Sequence, residues 1–336
     1  MEAFTAQSQT TNRGQAAPRQ ARVTTTARLH FGFLDPSGRG DRPFGSFGLA
    51  LDRPKTRLML APARTFQVSG PERERARRYL KTIAQSCGID AAYKLHIDEA
   101  IPPHAGLGSG TQLALAVGSA FAALEGVRLA PMEIAARLGR GARSGIGIAT
   151  FARGGVVLDG GPSVGSLPEL ASRLPFPAEW RVILIFDSEA SGLAGASEAD
   201  AFQTLPDFPQ REVDELRRRV TQGALPALAA NDFAGFCEHV GFLQASMGRY
   251  FAPLQGGPYT SKLVGAVLDW LQGKGLIGVG QSSWGPTGFA FVASEAEGQA
   301  RLDDLRATFR DPSLGFDLAQ GHNEGAKIEM NTERNR

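Results

Sequence analysis

The glycine-rich segment 102–112 (PPHAGLGSGTQ) limits the folds open to this chain more than any other part of its sequence. It follows an alternating run in which Tyr93, Leu95 and Ile97 are apolar, a pattern typical of a strand, and it leads into a small-residue run at 113–124 that predicts a helix. Glycines at three alternate positions let the backbone turn sharply and approach a ligand closely. Because a helix begins there, unpaired N–H groups and the positive end of the helix dipole favour an anion, most naturally a phosphate or pyrophosphate.

The glycines alone do not decide this, since many such turns only connect a strand to a helix. No Lys-Ser/Thr pair follows the last glycine, so the segment is not a Walker loop. Its spacing also differs from the G-x-G-x-x-G pattern of dinucleotide-binding proteins. A phosphate site therefore needs support from other parts of the chain.

Two other segments combine glycine with polar side chains. Residues 278–288 hold Gln281, Ser282 and Ser283, which offer hydrogen bonds, and Trp284, which either packs against the protein or stacks on a planar ligand. Residues 140–150 hold two arginines beside flexible glycines. These arginines either clamp a phosphate or carboxylate bidentately or lie in solvent at a helix end.

Composition and charge exclude several classes of function. A chain of 336 residues is long enough for two lobes, and its net charge of +2 indicates neither a nucleic-acid nor a membrane partner. No apolar run approaches the roughly 18 residues of a membrane helix. Cys87 and Cys237 lack the spacing of a zinc site, which fits a reducing cytoplasm. Residues 1–22 are predicted to be a disordered tail, with a transit peptide as the alternative.

The order of predicted elements is irregular, which favours the α+β class. We expect strands at 22–30, 44–51, 57–60, 65–69, 93–98, 156–158, 182–186, 276–279 and 289–292, and helices at 72–87, 113–124, 131–138, 212–220, 232–247 and 262–271. The Gly/Pro-rich stretch 160–177 is the best candidate for a linker. The predicted domains are 23–175, with the phosphate loop, and 176–336.

Four segments in this order resemble the GHMP superfamily of small-molecule kinases and, within it, the β-ribofuranosylaminobenzene 5′-phosphate synthases: 27–35, 103–112, 143–151 and 280–286. They extend over nearly all of the chain except its tail. The resemblance implies a two-lobed GHMP-kinase-like fold, with a ribosomal-protein-S5-like N-terminal lobe and a ferredoxin-like C-terminal lobe. It also implies a cytoplasmic homodimer that acts on small molecules and uses Mg²⁺.

The same resemblance implies roles for individual residues. The phosphate-binding set is His104, Gly106, Leu107, Gly108, Ser109, Gly110, Thr111 and Gln112. The catalytic set is Arg28, His30, Asp35, Arg143 and Ser144, and the acceptor-binding set is Gln281, Ser282, Ser283 and Trp284. Asp35 is the expected metal ligand, and the further candidate carboxylates are Asp187 and Glu198.

The implied reaction condenses 5-phosphoribosyl 1-pyrophosphate with 4-aminobenzoate or 4-hydroxybenzoate, releases CO₂ and pyrophosphate, and belongs to tetrahydromethanopterin biosynthesis. One departure from the kinase pattern supports it. GHMP kinases commonly carry an acid where this chain has Gly147, and loss of such a base removes a contribution of about 10²–10⁴-fold. An ATP-dependent kinase and a non-catalytic binding protein remain as alternatives.

Overall fold

The computed structural model describes residues 19–37, 44–162, 167–192 and 204–331. Its strands are β1 (Gln20–Asp35), β2 (Phe44–Pro62), β3 (Gln67–Ser69), β4 (Tyr93–Glu99), β5 (Val156–Asp159), β6 (Leu170–Leu174), β7 (Arg181–Asp187), β8 (Val279–Gln281), β9 (Gly288–Val292), β10 (Leu314–Ala319) and β11 (Lys327–Asn331). Its helices are α1 (Arg73–Ser86), α2 (Ser109–Glu125), α3 (Pro131–Arg137), α4 (Ile146–Arg153), α5 (Gln210–Arg219), α6 (Leu225–Ala229), α7 (Phe233–Gln255), α8 (Lys262–Gly273) and α9 (Glu295–Thr308). A π-helical turn, Val220–Ala224, joins α5 to α6.

The N-terminal lobe is a seven-stranded sheet covered by α2. Its order is β11-β1-β2-β4-β3, and β5 pairs with both β2 and β6. The long hairpin of β1 and β2 forms the centre, with pairs from Ala21 opposite Leu60 to Asp35 opposite Phe44. Helix α2 buries a row of small and apolar residues against this sheet, and its tight approach explains why the helix is rich in alanine.

The C-terminal lobe is a four-stranded antiparallel sheet of order β10-β7-β9-β8. Strand β7 is buried on both faces, so its sequence is continuously apolar. Ile183 and Ile185 pack with α8 and α9, whereas Val182 and Leu184 belong to a larger core shared with the N-terminal lobe. In that shared core Phe31 of β1 lies 5.6 Å from Phe291 of β9 between ring centroids.

The observed elements correct several predictions. Strand β1 begins at Gln20, so residues 20–22 belong to the sheet and not to a tail, and residues 1–18 lie outside the described part of the chain. The segments 44–51 and 57–60 form one strand, because β1 pairs along the length of both. Strand β6 lies inside the predicted linker and pairs with β5. Strand β11 pairs with β1, so the chain returns to the sheet of the N-terminal lobe after the C-terminal sheet.

The α+β, two-lobed class predicted from the sequence is confirmed. The sequence did not predict α4, α6, α9, β10 or β11. Among the described residues, no helix is both long enough and apolar enough to cross a bilayer.

Candidate active site

The glycine loop (residues 103–110) and the tryptophan hairpin (residues 281–288) pack backbone against backbone. A side chain at Gly106 would overlap the carbonyl oxygen of Ser282, and one at Gly285 would overlap the backbone of the glycine loop. The Ser282 hydroxyl donates to Gly106 O at 2.7 Å and accepts from the His30 N–H at 3.0 Å. One buried hydroxyl thus joins β1, the loop and the hairpin, and glycine is needed where the two backbones meet.

Helix α2 begins directly after Gly108, whose φ of 80° lies in the left-handed region. The first N–H groups of a helix have no partner within it, and the dipole adds positive potential at that end. The Arg28 side chain packs on this turn, since a Cβ at Gly108 would lie 3.1 Å from Arg28 Cγ. Arg28 also donates hydrogen bonds to Gly106 O from its guanidinium and to Leu107 O from its backbone N–H.

Four arginines line a cleft of about 410 Å³ around this helix terminus: Arg28, Arg75, Arg78 and Arg140. Arg140 lies over the start of α2, with Nη2 3.0 Å from the place of a Cβ on Gly110. Arg75 Nη2 lies 3.5 Å from His104 Nε2. No Asp or Glu lines this cleft in the described part of the chain. A cationic cleft of this kind suits a ligand that carries several phosphate charges.

Gly147 packs against α2, and this close packing explains why position 147 does not carry an acid. A Cβ at Gly147 would lie 3.0 Å from Cγ2 of Thr111, which is tighter than ordinary packing. The Gly147 carbonyl accepts a hydrogen bond of 2.8 Å from the buried side chain of Gln112. A carboxylate at position 147 would therefore need Thr111 to shift.

A second, much smaller cavity of about 30 Å³ adjoins the arginine cleft, and Ser283 and Trp284 line both. Trp284 is only 3% exposed and lies 4.2 Å from Phe251 between ring centroids. This burial matches the packing alternative, and Trp284 forms part of the lining of both cavities. Gln281 lines the small cavity, but its amide is engaged with the backbone of Thr260 and of Ser283.

Three residues predicted to bind ligand have side chains that are engaged within the protein. The Leu107 side chain is buried in the shared core, so only its backbone belongs to the loop. The Gln112 side chain is fully buried between Thr25 and Gly147. Ser282 lines neither cavity, because its hydroxyl joins β1 to the glycine loop. These contacts position the loop, and a ligand contact at each residue stays a prediction.

Of the predicted carboxylates, neither Asp35 nor Asp187 lines the arginine cleft. Asp35 lines a different cavity and accepts hydrogen bonds from the backbone and hydroxyl of Ser37, so it lies apart from the arginine cleft, and its role as a metal ligand stays a prediction. Asp187 accepts a hydrogen bond of 2.6 Å from Ser261, at the start of α8. Glu198 lies outside the described residues. The described residues contain no group of three or more His, Cys, Asp or Glu that could hold a metal ion.

The two predicted residues before α4 also lie apart from the cleft. Arg143 does not line it, whereas Arg140 does. The Ser144 hydroxyl accepts a hydrogen bond of 3.3 Å from Ile146 N, the first residue of α4. Arg140 thus takes the place in the cleft that the sequence had assigned to Arg143.

Sequence reasoning missed Arg75, Arg78 and Tyr79, which α1 contributes to the cleft. The charges of α1 were interpreted only as helical patterning. Arg75 and Arg78 are three residues apart and so share one face of the helix, a spacing that could have marked them as a pair. Glu72 holds Arg75 by an ion pair of 3.1 Å.

His30 is almost fully buried in the small cavity. Burial is the main cause that lowers the pKa of His30 to about 3, and the positive charge of the nearby Arg28 guanidinium is the second cause. The ring is therefore neutral at physiological pH. Neither ring nitrogen has a hydrogen-bond partner in the described part of the chain. A buried polar group without a partner is rare and requires an explanation.

We expect His30 to make stability depend on pH between about 6.5 and about 3. Below pH 6.5 the unfolded chain protonates this ring and the folded protein does not, so the unfolded state binds more protons and stability falls as pH falls. The free energy of unfolding should lose about 1.4 kcal/mol per pH unit from this residue. Urea unfolding of wild-type protein and His30→Asn at pH 4.5 to 6.5 measures the difference in slope. His96→Asn, at an exposed histidine, is the control, and an unchanged slope in His30→Asn would contradict the expectation.

Comparison with known proteins places the chain in a family. The models for the GHMP kinases N terminal domain and the GHMP kinases C terminal match residues 74–155 and 224–311. L. major mevalonate kinase in complex with R-mevalonate has a similar fold, with a TM-score of 0.66 at 16% identity over 89% of this chain and 96% of that one.

Two curated relatives carry the name beta-ribofuranosylphenol 5′-phosphate synthase. The protein from Archaeoglobus fulgidus is 32% identical over 334 residues, which cover 92% of this chain and 99% of the relative. The protein from Methanothermobacter thermautotrophicus is 30% identical over 82% of this chain and 89% of the relative. The chain therefore belongs to the GHMP kinase superfamily and, within it, to the family of β-ribofuranosylphenol 5′-phosphate synthases.

Proposed function

We propose that the protein is a pentosyltransferase that condenses 5-phosphoribosyl 1-pyrophosphate with a para-substituted benzoate and releases CO₂ and pyrophosphate. The observation that carries this proposal is the cleft of four arginines around the glycine loop, with no carboxylate among its described lining residues. A donor with a pyrophosphate and a separate phosphate matches that charge. A phosphoryl transfer to a hydroxyl would lack its base there.

The donor's pyrophosphate would lie on the glycine loop and the start of α2, where unpaired N–H groups and the helix dipole stabilise a leaving anion. Arg28, Arg75 and Arg140 lie around this place, and Arg78 adds a further positive charge from α1 that the ribose phosphate would meet. As the bond to pyrophosphate lengthens, positive charge develops on the anomeric carbon and negative charge on the leaving group. Fixed guanidinium groups need no reorganisation to stabilise that leaving group.

Mg²⁺ would neutralise part of the pyrophosphate charge, with oxygen ligands only. The described cleft offers the Ser109 and Thr111 hydroxyls as hard oxygen donors but no carboxylate. The residues therefore fit a metal that arrives with the donor and keeps phosphate and water ligands. They do not fit a metal site built by the protein alone.

The acceptor would attack from the ring carbon that bears the carboxylate. A C–C bond forms to the anomeric carbon while the bond to pyrophosphate breaks. The pair of electrons in the C–CO₂ bond then returns to the ring as CO₂ leaves, and aromaticity is restored. The relatives' name describes a ribosylated phenol, which is the product that 4-hydroxybenzoate would give. We therefore propose 4-hydroxybenzoate as the preferred acceptor and 4-aminobenzoate as the alternative.

Other implied properties remain proposals that rest on the family: a place in tetrahydromethanopterin biosynthesis, a homodimer and a cytoplasmic location. Gly147 weighs against the kinase alternative, because its position leaves no room for an acid without a shift of Thr111. The charged cleft weighs against a protein that has lost its ligand.

The test is to incubate the protein with the donor, Mg²⁺ and either acid labelled at its carboxyl carbon. We expect one labelled CO₂ and one pyrophosphate for each C-riboside formed, with faster release from 4-hydroxybenzoate. In parallel, ATP with homoserine, mevalonate or galactose should give no ADP above a control without enzyme. Absence of labelled CO₂ from both acids would refute the synthase, and acceptor-dependent ADP formation would support the kinase.

A further inference from the structure

The small cavity beside the arginine cleft contains glutamines whose hydrogen bonds are satisfied. The Gln244 amide donates to Phe31 O and accepts from Gln281 N at 2.7 Å. The Gln255 amide donates to Pro258 O at 2.9 Å and accepts from the Thr260 hydroxyl at 3.2 Å. These side chains form the polar part of the wall but already have partners within the protein.

His30 differs from these glutamines because neither of its ring nitrogens has a partner in the described residues. The residue is 2% exposed and lines the cavity. Its ring meets the Phe33 ring in an edge-on arrangement, with 4.7 Å between the two ring centroids. A neutral imidazole offers one N–H donor and one nitrogen acceptor. The two nitrogens point in different directions from the ring, so a ligand hydroxyl or amino group in the cavity would satisfy one of them.

The position of His30 relates it to the proposed reaction. Arg28 and His30 are two residues apart in β1, within a regular stretch of pairing with β2, so both point to the same face about 6.6 Å apart. Arg28 lines the arginine cleft and His30 lines the small cavity, and the two cavities meet at Ser283 and Trp284. A para-substituted benzoate has its two polar ends on opposite sides of the ring, at a similar spacing.

We propose that His30 binds the para substituent of the acceptor ring and so selects acids that carry a hydroxyl or amino group there. This rests on the proposed function, since the other end of the ring must face the donor. The cavity of about 30 Å³ admits one such group and not the ring itself. A phenol hydroxyl can donate to the acceptor nitrogen or accept from the ring N–H, whereas an aromatic amine mainly donates, so the hydroxyl can pair with whichever nitrogen faces the cavity.

The contact would also assist the chemistry. When the ring carbon attacks the anomeric carbon, the ring becomes electron-poor and its hydroxyl becomes more acidic. A hydrogen bond from that hydroxyl to His30 supplies electron density to the opposite carbon. The proton shifts toward the imidazole nitrogen and returns when CO₂ leaves, so no proton is consumed. Benzoate, which lacks the para group, cannot use this contact.

The test compares binding of 4-hydroxybenzoate, 4-aminobenzoate and benzoate by calorimetry, with inorganic pyrophosphate present so that no reaction occurs. Wild-type protein should bind 4-hydroxybenzoate about 5- to 150-fold more tightly than benzoate. His30→Phe should remove most of this preference while its affinity for pyrophosphate stays unchanged. His30→Gln, which keeps a donor and an acceptor, should retain part of it.

A second measurement needs no variant. In protein labelled with ¹⁵N at histidine, 4-hydroxybenzoate should shift the His30 ring nitrogens and benzoate should not. Wild-type protein that binds benzoate as tightly as 4-hydroxybenzoate, or a preference that survives in folded His30→Phe, overturns the inference whether or not labelled CO₂ is formed. A His30-dependent preference without CO₂ release would instead leave this site standing and refute the synthase reaction.

Discussion

Gly108→Val is expected to abolish donor binding in a protein that still folds. A Cβ at this position would lie 3.1 to 3.4 Å from three atoms of the Arg28 side chain, and the two further methyl groups of valine would reach into the cleft. The substitution therefore displaces one guanidinium and covers the first N–H groups of α2. Charge-assisted hydrogen bonds contribute about 1.5–3 kcal/mol each, so loss of two predicts at least about a 100-fold weaker affinity for the donor.

The control for this variant is Gly126→Val at the other end of the same helix. Gly126 has a φ of 70°, close to that of Gly108, and a Cβ there would have no atom of the described residues within 4 Å. Both variants carry a similar backbone strain, but only Gly108→Val touches the cleft. Calorimetry with 5-phosphoribosyl 1-pyrophosphate, together with thermal unfolding, separates the two effects. Unchanged donor affinity in folded Gly108→Val would remove the glycine loop from the binding site.

The parts of the site that the sequence could predict are those in which the local backbone determines the chemistry. The glycine loop follows a strand and precedes a helix, and strand β4, the loop and helix α2 occur in that order. The tryptophan hairpin was also predicted from composition, because glycines and polar side chains mark a turn. In the structure this turn joins β8 to β9. In both cases glycine is required by the close contact between the two turns.

Distant contacts could not be predicted in the same way. Arg75 is brought to the loop because α1 packs beside α2, a relation that depends on the whole sheet and leaves no short motif. Ser282 was interpreted as a ligand group because a serine in a polar turn resembles one. Its hydroxyl is instead enclosed by β1 and the glycine loop, 252 and 176 residues away in sequence.

Asp35 shows how a long strand can separate residues of one matched segment. It is the last residue of the segment 27–35 and was predicted to bind the metal, but β1 is long enough to carry it past the cleft to another cavity, which Asp159 also lines. Burial raises the pKa of Asp159, although backbone N–H groups of Gly161, Gly145 and Ser46 oppose that shift. This acid therefore fixes the turns around β5 and α4, which is a structural role.

Replacing Arg75 and Arg140 together by alanine is expected to weaken donor binding about 10- to 1,000-fold and to change the fold little. Both guanidiniums lie beside Gly110, where a Cβ would be 3.8 Å from Arg75 Nη1 and 3.0 Å from Arg140 Nη2. Among the described residues, the hydrogen bonds of Arg140 are long, at 3.4 and 3.5 Å to Thr111. Loss of each charged hydrogen bond to a phosphate costs about 1.5–3 kcal/mol in full, and less where solvent screens the charge. The affinity of wild-type protein should also fall more steeply with salt than that of the variant.

The matched control is the double variant Arg73→Ala with Arg137→Ala, which removes one positive charge from α1 and one from the end of α3. Arg75 also lies in α1, and Arg140 follows α3 closely in the chain. Arg73 and Arg137 are exposed, and neither lines the cleft. If the arginines act by direct contact with phosphates, the control should bind the donor as wild-type protein does and show the same salt dependence. If both double variants lose affinity equally, the cleft acts only through its overall charge, and the assignment of Arg75 and Arg140 to the donor phosphates is wrong. The additional variant Arg75→Lys with Arg140→Lys keeps the charge without the planar fork, so its affinity should lie between those of wild type and the alanine variant.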